Sequence, residues 1–269
     1  TPRSSGLTKK MTITSIKKSK NVQPIVMITA YDALFAKLIE PSADIILVGD
    51  SLNMSFGGKS DTLSITLDQM IYHTNAVSRG AENSFIVCDM PFGTYVDETE
   101  ALKNCIRVFQ ETSADAVKIE GGEDKAYIVK HLCSNGIAVC AHIGLLPQAV
   151  RSEGGYKVKG KTKEEVAQLV KDAQAVEEAG AFCIVLEGVK AQAAAEVTKS
   201  VDIPVIGIGA GADVDGQVLV FSDMLGLFEE FTPKFVKKYI DGAVIVKKAF
   251  KNYADEVVSG EFPQEIHSY

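Results

Sequence analysis

The sequence predicts an α/β protein folded as a closed (β/α)8 TIM barrel. Two patterns carry that expectation. Eight short runs of β-branched and apolar residues alternate with helical patterns, the signature of a parallel sheet. Apart from polar residues toward the ends of a few, those runs are continuously apolar, as strands covered on both sides should be. The length of 269 residues also suits one barrel, which typically takes about 250. A doubly wound open sheet is the alternative arrangement of the same elements.

Taken in order, the first predicted strand is Pro24–Ala30, followed by an amphipathic helix over Ala33–Glu40. Ile45–Gly49 is the second strand and runs into Asp50 and Ser51. After a polar loop, Thr66 reads as a helix N-cap with Asp68 and Gln69 in the first turn, and the helix ends near Arg79–Gly80. Phe85–Met90 is the third strand, stopped by Pro91, and Asp97–Ser113 is the helix after it. The fourth strand is Ala116–Ile119, and a helix over Asp124–Ser134 closes at Asn135–Gly136. Ile137–Ile143 is the fifth strand. A long loop, Gly144–Lys161, leads to a helix over Thr162–Ala179 with Val166, Leu169, Val170, Ala173 and Val176 on one face. Phe182–Leu186, the Ala-rich helix Ala191–Lys199 and Pro204–Gly209 continue the alternation. Val218–Phe221 is the expected eighth strand, and Lys234–Val258 a long terminal helix that includes Phe235 and Tyr239.

Composition narrows the function. The formal net charge is −7, with no basic stripe interleaved with aromatics, which argues against nucleic acid as a partner. No apolar run approaches the roughly 20 residues that span a bilayer. Thr1–Lys10 has no signal-peptide core and reads as added or disordered sequence ahead of Met11, leaving 11–269 as a single barrel domain. Five cysteines without metal-like spacing suggest reduced thiols in a cytosol.

Charge in the strands marks the site. Strand side chains alternate faces, so Lys118 and Glu120 share one face while Val117 and Ile119 take the other. Burying two charges costs several kcal/mol each (roughly) unless they are paired or bound to a metal. Other strands end in the same way: Asp50 and Ser51 after the second, Asp89 at the third, His142 at the fifth and Glu187 at the sixth. Barrel active sites gather at these C-terminal strand ends. Asp50, Asp89 and Glu120 are hard oxygen donors suited to Mg2+. Lys118 beside the ion is placed to hold a carboxylate or enolate oxygen, and Glu187 is the spare carboxylate for a general base. His142 is a further candidate, although a lone histidine there more often belongs to a hydrogen-bonded core.

Several segments resemble one enzyme family. They are Val48–Ser55 (VGDSLNMS), Thr62–Thr74 (TLSITLDQMIYHT), Cys88–Tyr95 (CDMPFGTY), Val117–Gly122 (VKIEGG), Ala141–Gln148 (AHIGLLPQ), Gly154–Lys161 (GGYKVKGK), Leu186–Val189 (LEGV), Ile206–Gly211 (IGIGAG) and Asp215–Gly226 (DGQVLVFSDMLG). Together they resemble 3-methyl-2-oxobutanoate (ketopantoate) hydroxymethyltransferases, from about Pro24 to the C-terminus. The resemblance implies a barrel of the phosphoenolpyruvate mutase/isocitrate lyase type, Mg2+-dependent, cytoplasmic and assembled as a homodecamer. It implies transfer of a hydroxymethyl group from 5,10-methylenetetrahydrofolate to 3-methyl-2-oxobutanoate, giving 2-dehydropantoate for pantothenate biosynthesis. Carried over by motif, Asp50, Asp89 and Glu120 are metal residues, and Asp50, Ser51, Asp89 and Lys118 contact the oxo acid. Glu187 matches the proton acceptor. Asn53, Leu146 and Ala149 depart from the usual Gly, Thr and Ser of these motifs. Rival readings are a related carbon–carbon lyase or mutase acting on a 2-oxo acid, and a non-catalytic 2-oxo acid-binding barrel.

Overall fold

A computed structural model describes residues 10–269, so almost all of the leading segment ahead of Met11 lies outside the described residues. The chain forms two compact units, divided after Val220. The first holds a closed parallel barrel of eight strands in sequence order, β1 to β8. They are Ile25–Thr29, Ile45–Val48, Phe85–Asp89, Ala116–Glu120, Val139–Gly144, Cys183–Glu187, Val205–Ile208 and Gly216–Leu219. β1 closes the ring by pairing with β8, with Met27 opposite Val218.

The barrel interior follows the two-residue period of the strands. Its buried centre contains Ile25 and Met27, Ile45 and Leu47, Phe85 and Val87, Ala116, Cys140, and Cys183 and Val185. The next residues of the same parity, nearer the C-terminal ends, are Asp89, Lys118, Glu120, His142 and Glu187. One face of each strand is therefore apolar below and polar at the mouth. An N-terminal helix that the sequence reading did not assign, α1 (Ile13–Lys18), buries Ile16 completely within the same apolar cluster.

The helices of this unit are α2 (Ala33–Ile39), α3 (Leu52–Ser55), α4 (Leu67–Gly80), α5 (Glu98–Glu111), α6 (Ala126–Ser134), α7 (Lys163–Glu178) and α8 (Ala191–Lys199). The expected cap at Thr66 forms a full capping box: its hydroxyl accepts from Gln69 N and the Gln69 side chain accepts from Thr66 N. Asp97 and Thr162 cap α5 and α7 with their side chains alone, accepting from Glu100 N and Glu165 N.

Two expected boundaries move. β8 begins at Gly216 rather than Val218 and ends at Leu219, and Phe221 opens a short helix, α9 (Phe221–Met224), in the second unit. A glycine at a strand start reads as a turn in sequence, but here it lets two backbones meet. A side-chain carbon on Gly216 would stand 2.4 Å from Ile25 O. The terminal helix α10 spans Gly242–Ser259, so Phe235 and Tyr239 precede it. The preceding backbone is committed elsewhere, since Tyr239 N donates to Met224 O and Gly242 N to Leu225 O. α10 ends on Gly260 in the left-handed conformation that favours glycine. Among the described residues no helix is long and apolar enough to cross a membrane.

Candidate active site

The polar ends of β3 to β6 meet at one mouth. Parallel register sets Asp89 beside Lys118 and Glu120 beside His142. Asp50, Asp89, Lys118, Glu120 and His142 are each no more than 5% exposed. Asp50 does not follow strand parity, because β2 stops at Val48 and Gly49 occupies the inward-facing position. The chain turns there, and Asp50 N donates to Asp89 Oδ2 at 3.0 Å. A carbon on Gly49 would lie 3.0 Å from Ser51 Oγ and 3.6 Å from Asp89 Oδ2, so glycine keeps this floor open. Ser51 Oγ lies 2.7 Å from the Tyr31 hydroxyl at the edge of the same floor.

Lys118 is the hub of the acids. Its Nζ lies 3.1 Å from Asp89 Oδ1 and 2.9 Å from His142 Nδ1. Burial alone would lower its pKa, but Asp89, Glu120 and Asp50 overcome that and hold it above the ordinary lysine value. An ammonium carries donors only, so Nδ1 accepts and the imidazole proton sits on Nε2. That nitrogen lies 3.1 Å from Glu187 Oε2, within hydrogen-bond distance but outside hydrogen-bond alignment. Burial, reinforced by Lys118, keeps His142 well below the usual histidine pKa and therefore neutral. His142 thus bridges the lysine and Glu187.

Asp50, Glu120 and Glu187 are shifted upward. Burial, then the neighbouring Asp89 charge, pushes Asp50 up to about 7. Burial pushes Glu187 up to about 7 against the opposing charge of Lys118. Glu120 is also raised, first by burial. A carboxyl whose folded-state pKa lies above its unfolded value stabilises the fold at low pH and loses that contribution as pH rises through the folded value. His142, shifted the other way, affects stability only below its unfolded value of 6.5. The metal-free protein should therefore melt at a lower temperature as pH rises from 6.5 through about 7, by ~2–4 °C per kcal/mol lost. Calorimetric melts across that window check this, and a rising melting temperature would contradict the buried-acid assignment.

Sequence reasoning missed Gln148, which ties the site together. Its Nε2 donates to Asp50 Oδ2 at 2.9 Å and to Met90 O at 3.0 Å, and its backbone N donates to Glu120 Oε2 at 3.0 Å. Its own carbonyl accepts from the buried Tyr95 hydroxyl. Gln148 belongs to the segment LLPQ and Tyr95 to PFGTY, so motif membership was the available signal. Asn53 turns out to be a structural pin: its amide donates to Asp61 O at 2.7 Å and Ser64 Oγ at 3.0 Å.

The donor set fits a hard cation. Asp50 and Asp89 are adjacent carboxylates, and Asp89 Oδ1 is buried without a hydrogen-bond partner. Among the described residues no three His, Cys, Asp or Glu side chains form a group that encloses an ion unaided. Mg2+ does not need one, since it is usually held by one or two carboxylates and keeps several waters. Glu120 stands behind this pair, engaged by Gln148 N and 3.7 Å from His142 Nδ1.

A closed barrel with acids, a lysine and a metal-compatible carboxylate pair at its C-terminal mouth has the layout of a (β/α)8-barrel enzyme. Solved structures agree on the fold. A 2,3-dimethylmalate lyase, described as a PEP mutase/isocitrate lyase superfamily member, superposes with a TM-score of 0.57 at 17% identity, covering 90% of this chain and 98% of its own. Phosphonopyruvate hydrolase, solved with oxalate and Mg++, gives 0.59 at 12% identity, covering 93% and 99%. Within that class, the family model described as ketopantoate hydroxymethyltransferase matches residues 10–265. The 3-methyl-2-oxobutanoate hydroxymethyltransferase of Sulfurimonas denitrificans is 77% identical over 98% of this chain and 100% of its own length. The chain belongs to the ketopantoate hydroxymethyltransferase family and is a one-carbon transferase.

Proposed function

We propose that the protein transfers a hydroxymethyl group from 5,10-methylenetetrahydrofolate to 3-methyl-2-oxobutanoate with Mg2+, giving 2-dehydropantoate for pantothenate biosynthesis. The observation that carries this reading is the division of the mouth into two halves. The Asp50–Asp89 pair with Lys118 lies on one side, and Glu187 stands beyond the neutral His142 on the other. Asp50 and Asp89 would hold Mg2+, with Glu120 behind them. Mg2+ bound there supplies Lewis acidity to an oxo acid.

This chain's own groups do the rest. Ser51 and Lys118 hold the carboxylate and oxo group, and the Lys118 ammonium opposes the negative charge that builds on the oxo oxygen. Glu187, ionised above about 7, takes the C3 proton. His142 keeps its Nε2 hydrogen toward the Glu187 carboxylate and limits where that carboxylate swings. The C3 nucleophile then attacks the methylene carbon of the folate, forming a carbon–carbon bond as one carbon–nitrogen bond breaks. Water hydrolyses the remaining carbon–nitrogen bond, leaving the hydroxymethyl group on C3 and freeing tetrahydrofolate. Assembly as a homodecamer and a cytoplasmic location complete the reading, and native mass spectrometry tests the assembly.

Deuterium exchange at C3 of 3-methyl-2-oxobutanoate, followed by NMR without folate, tests the chemistry. Exchange should require Mg2+ and rise with pH through about 7. Metal-independent exchange, or none even after methylenetetrahydrofolate is added, would overturn it.

A further inference from the structure

Two buried carboxylates at the mouth are each fastened by one oxygen. Asp89 Oδ2 accepts from Asp50 N at 3.0 Å, and Asp50 Oδ2 accepts from Gln148 Nε2 at 2.9 Å. The first fastening is made by backbone and comes with the bend after β2. The second comes from a side chain on a short 3-10 turn after β5, Pro147–Ala149, and so depends on one residue. Neither fastening uses Oδ1, and at Asp89 that oxygen is buried without a hydrogen-bond partner.

Gln148 makes this contact in one orientation only. Its amide nitrogen carries two N–H donors, and both are used, one on Asp50 Oδ2 and one on Met90 O at 3.0 Å. Turning the amide over would set its oxygen against a carboxylate and a carbonyl, neither of which has a proton to give. The amide carbonyl instead accepts from the Tyr95 hydroxyl, which holds the group from its far side. Both side chains are no more than 8% exposed, so a lost bond leaves a buried polar group unsatisfied. Gln148 N also donates to Glu120 Oε2 at 3.0 Å, so this one residue fixes acids that follow β2 and end β4.

Mg2+ demands near-ideal octahedral geometry, and the groups hydrogen-bonded behind a ligand set the direction that ligand faces. We infer that Gln148, anchored by Tyr95, is a positioning residue that turns Asp50 Oδ1 toward the cation, an inference that rests on the Mg2+ reading above. Tyr95 acts only through the amide: its hydroxyl steadies Gln148, and Gln148 steadies the carboxylate.

Calorimetric titration of Mg2+ into wild type, Gln148→Met, Tyr95→Phe and the double variant tests it. Methionine keeps the length of the side chain without its donors. Tyr95→Phe removes one hydroxyl and keeps the ring, so the test stands even where the Gln148 variant fails to fold. Each single substitution should weaken Mg2+ binding by about 10–100-fold, the range for loss of a partner behind a metal ligand. The double variant should bind within about twofold of Gln148→Met alone, because the two side chains act in series. The Mg2+ concentration that half-activates C3 exchange should rise by the same factor, and the exchange rate at saturating Mg2+ should change less. Losses that multiply in the double variant, or a fall confined to the saturated rate, overturn the inference. Mg2+ binding by wild type that neither substitution weakens removes the positioning role alone. No Mg2+ binding by wild type removes the metal reading, and the inference with it.

Discussion

Glu187→Gln should reduce Mg2+-dependent C3 exchange by about 10²–10⁴-fold, the range for loss of a positioned general base. The substitution keeps the shape of a side chain that is 18% exposed and 3.1 Å from His142 Nε2, so the fold should persist. Binding of Mg2+ and of the oxo acid should change little, because Asp50, Asp89 and Lys118 are untouched. The residual exchange should also lose the pH dependence that Glu187 imposes near 7 in the wild type. Exchange and calorimetry on the same preparation check both halves. Near-normal exchange in the variant would move the base elsewhere in the mouth.

Asp89→Asn should weaken Mg2+ binding by more than the roughly 10–100-fold seen when outer-shell partners of a metal are lost. Asp89 Oδ2 accepts from Asp50 N, and its Oδ1, 3.1 Å from Lys118 Nζ, has no hydrogen-bond partner. The change removes a candidate ligand and also the carboxylate closest to a buried ammonium. Breaking a buried charge pair costs about 3–5 kcal/mol. Asp50 and Glu120 still act on Lys118, which places the loss at the lower end of that range. Titration with Mg2+ and urea unfolding of the metal-free protein read the two effects separately. Metal affinity within a few-fold of wild type would exclude Asp89 from the ion's shell.

Much of this architecture was legible because strand chemistry repeats every two residues. Ala116, Lys118 and Glu120 share a face, as do Cys183, Val185 and Glu187. The sequence alone could therefore place apolar residues deep in the barrel and charged ones at its mouth. Helix caps such as Thr66 and Thr162 were equally local, since a cap needs only a side chain and an amide three residues on. Boundaries set by backbone packing were not local. Gly216 looks like a turn until Ile25 O is brought against it, and the segment before α10 looks helical until Met224 O captures Tyr239 N.

The amino-acid sequence by itself determined the barrel, its polar mouth and the identities of Asp89, Lys118, Glu120, His142 and Glu187 as members of one cluster. The resemblance of its motifs pointed to the family to which the chain belongs. Only the tertiary structure decided how those groups act on each other. Asp50 turns in by a bend after β2 that strand parity does not encode. Gln148 reaches Asp50, 98 positions away in sequence, and His142 stands between Lys118 and Glu187 with its proton on the side facing Glu187. The pattern of a chain encodes which face a side chain takes, but pairings across strands and loops depend on closing the ring. Burial of acids around one lysine, and the shifts that follow, exist only after that closure.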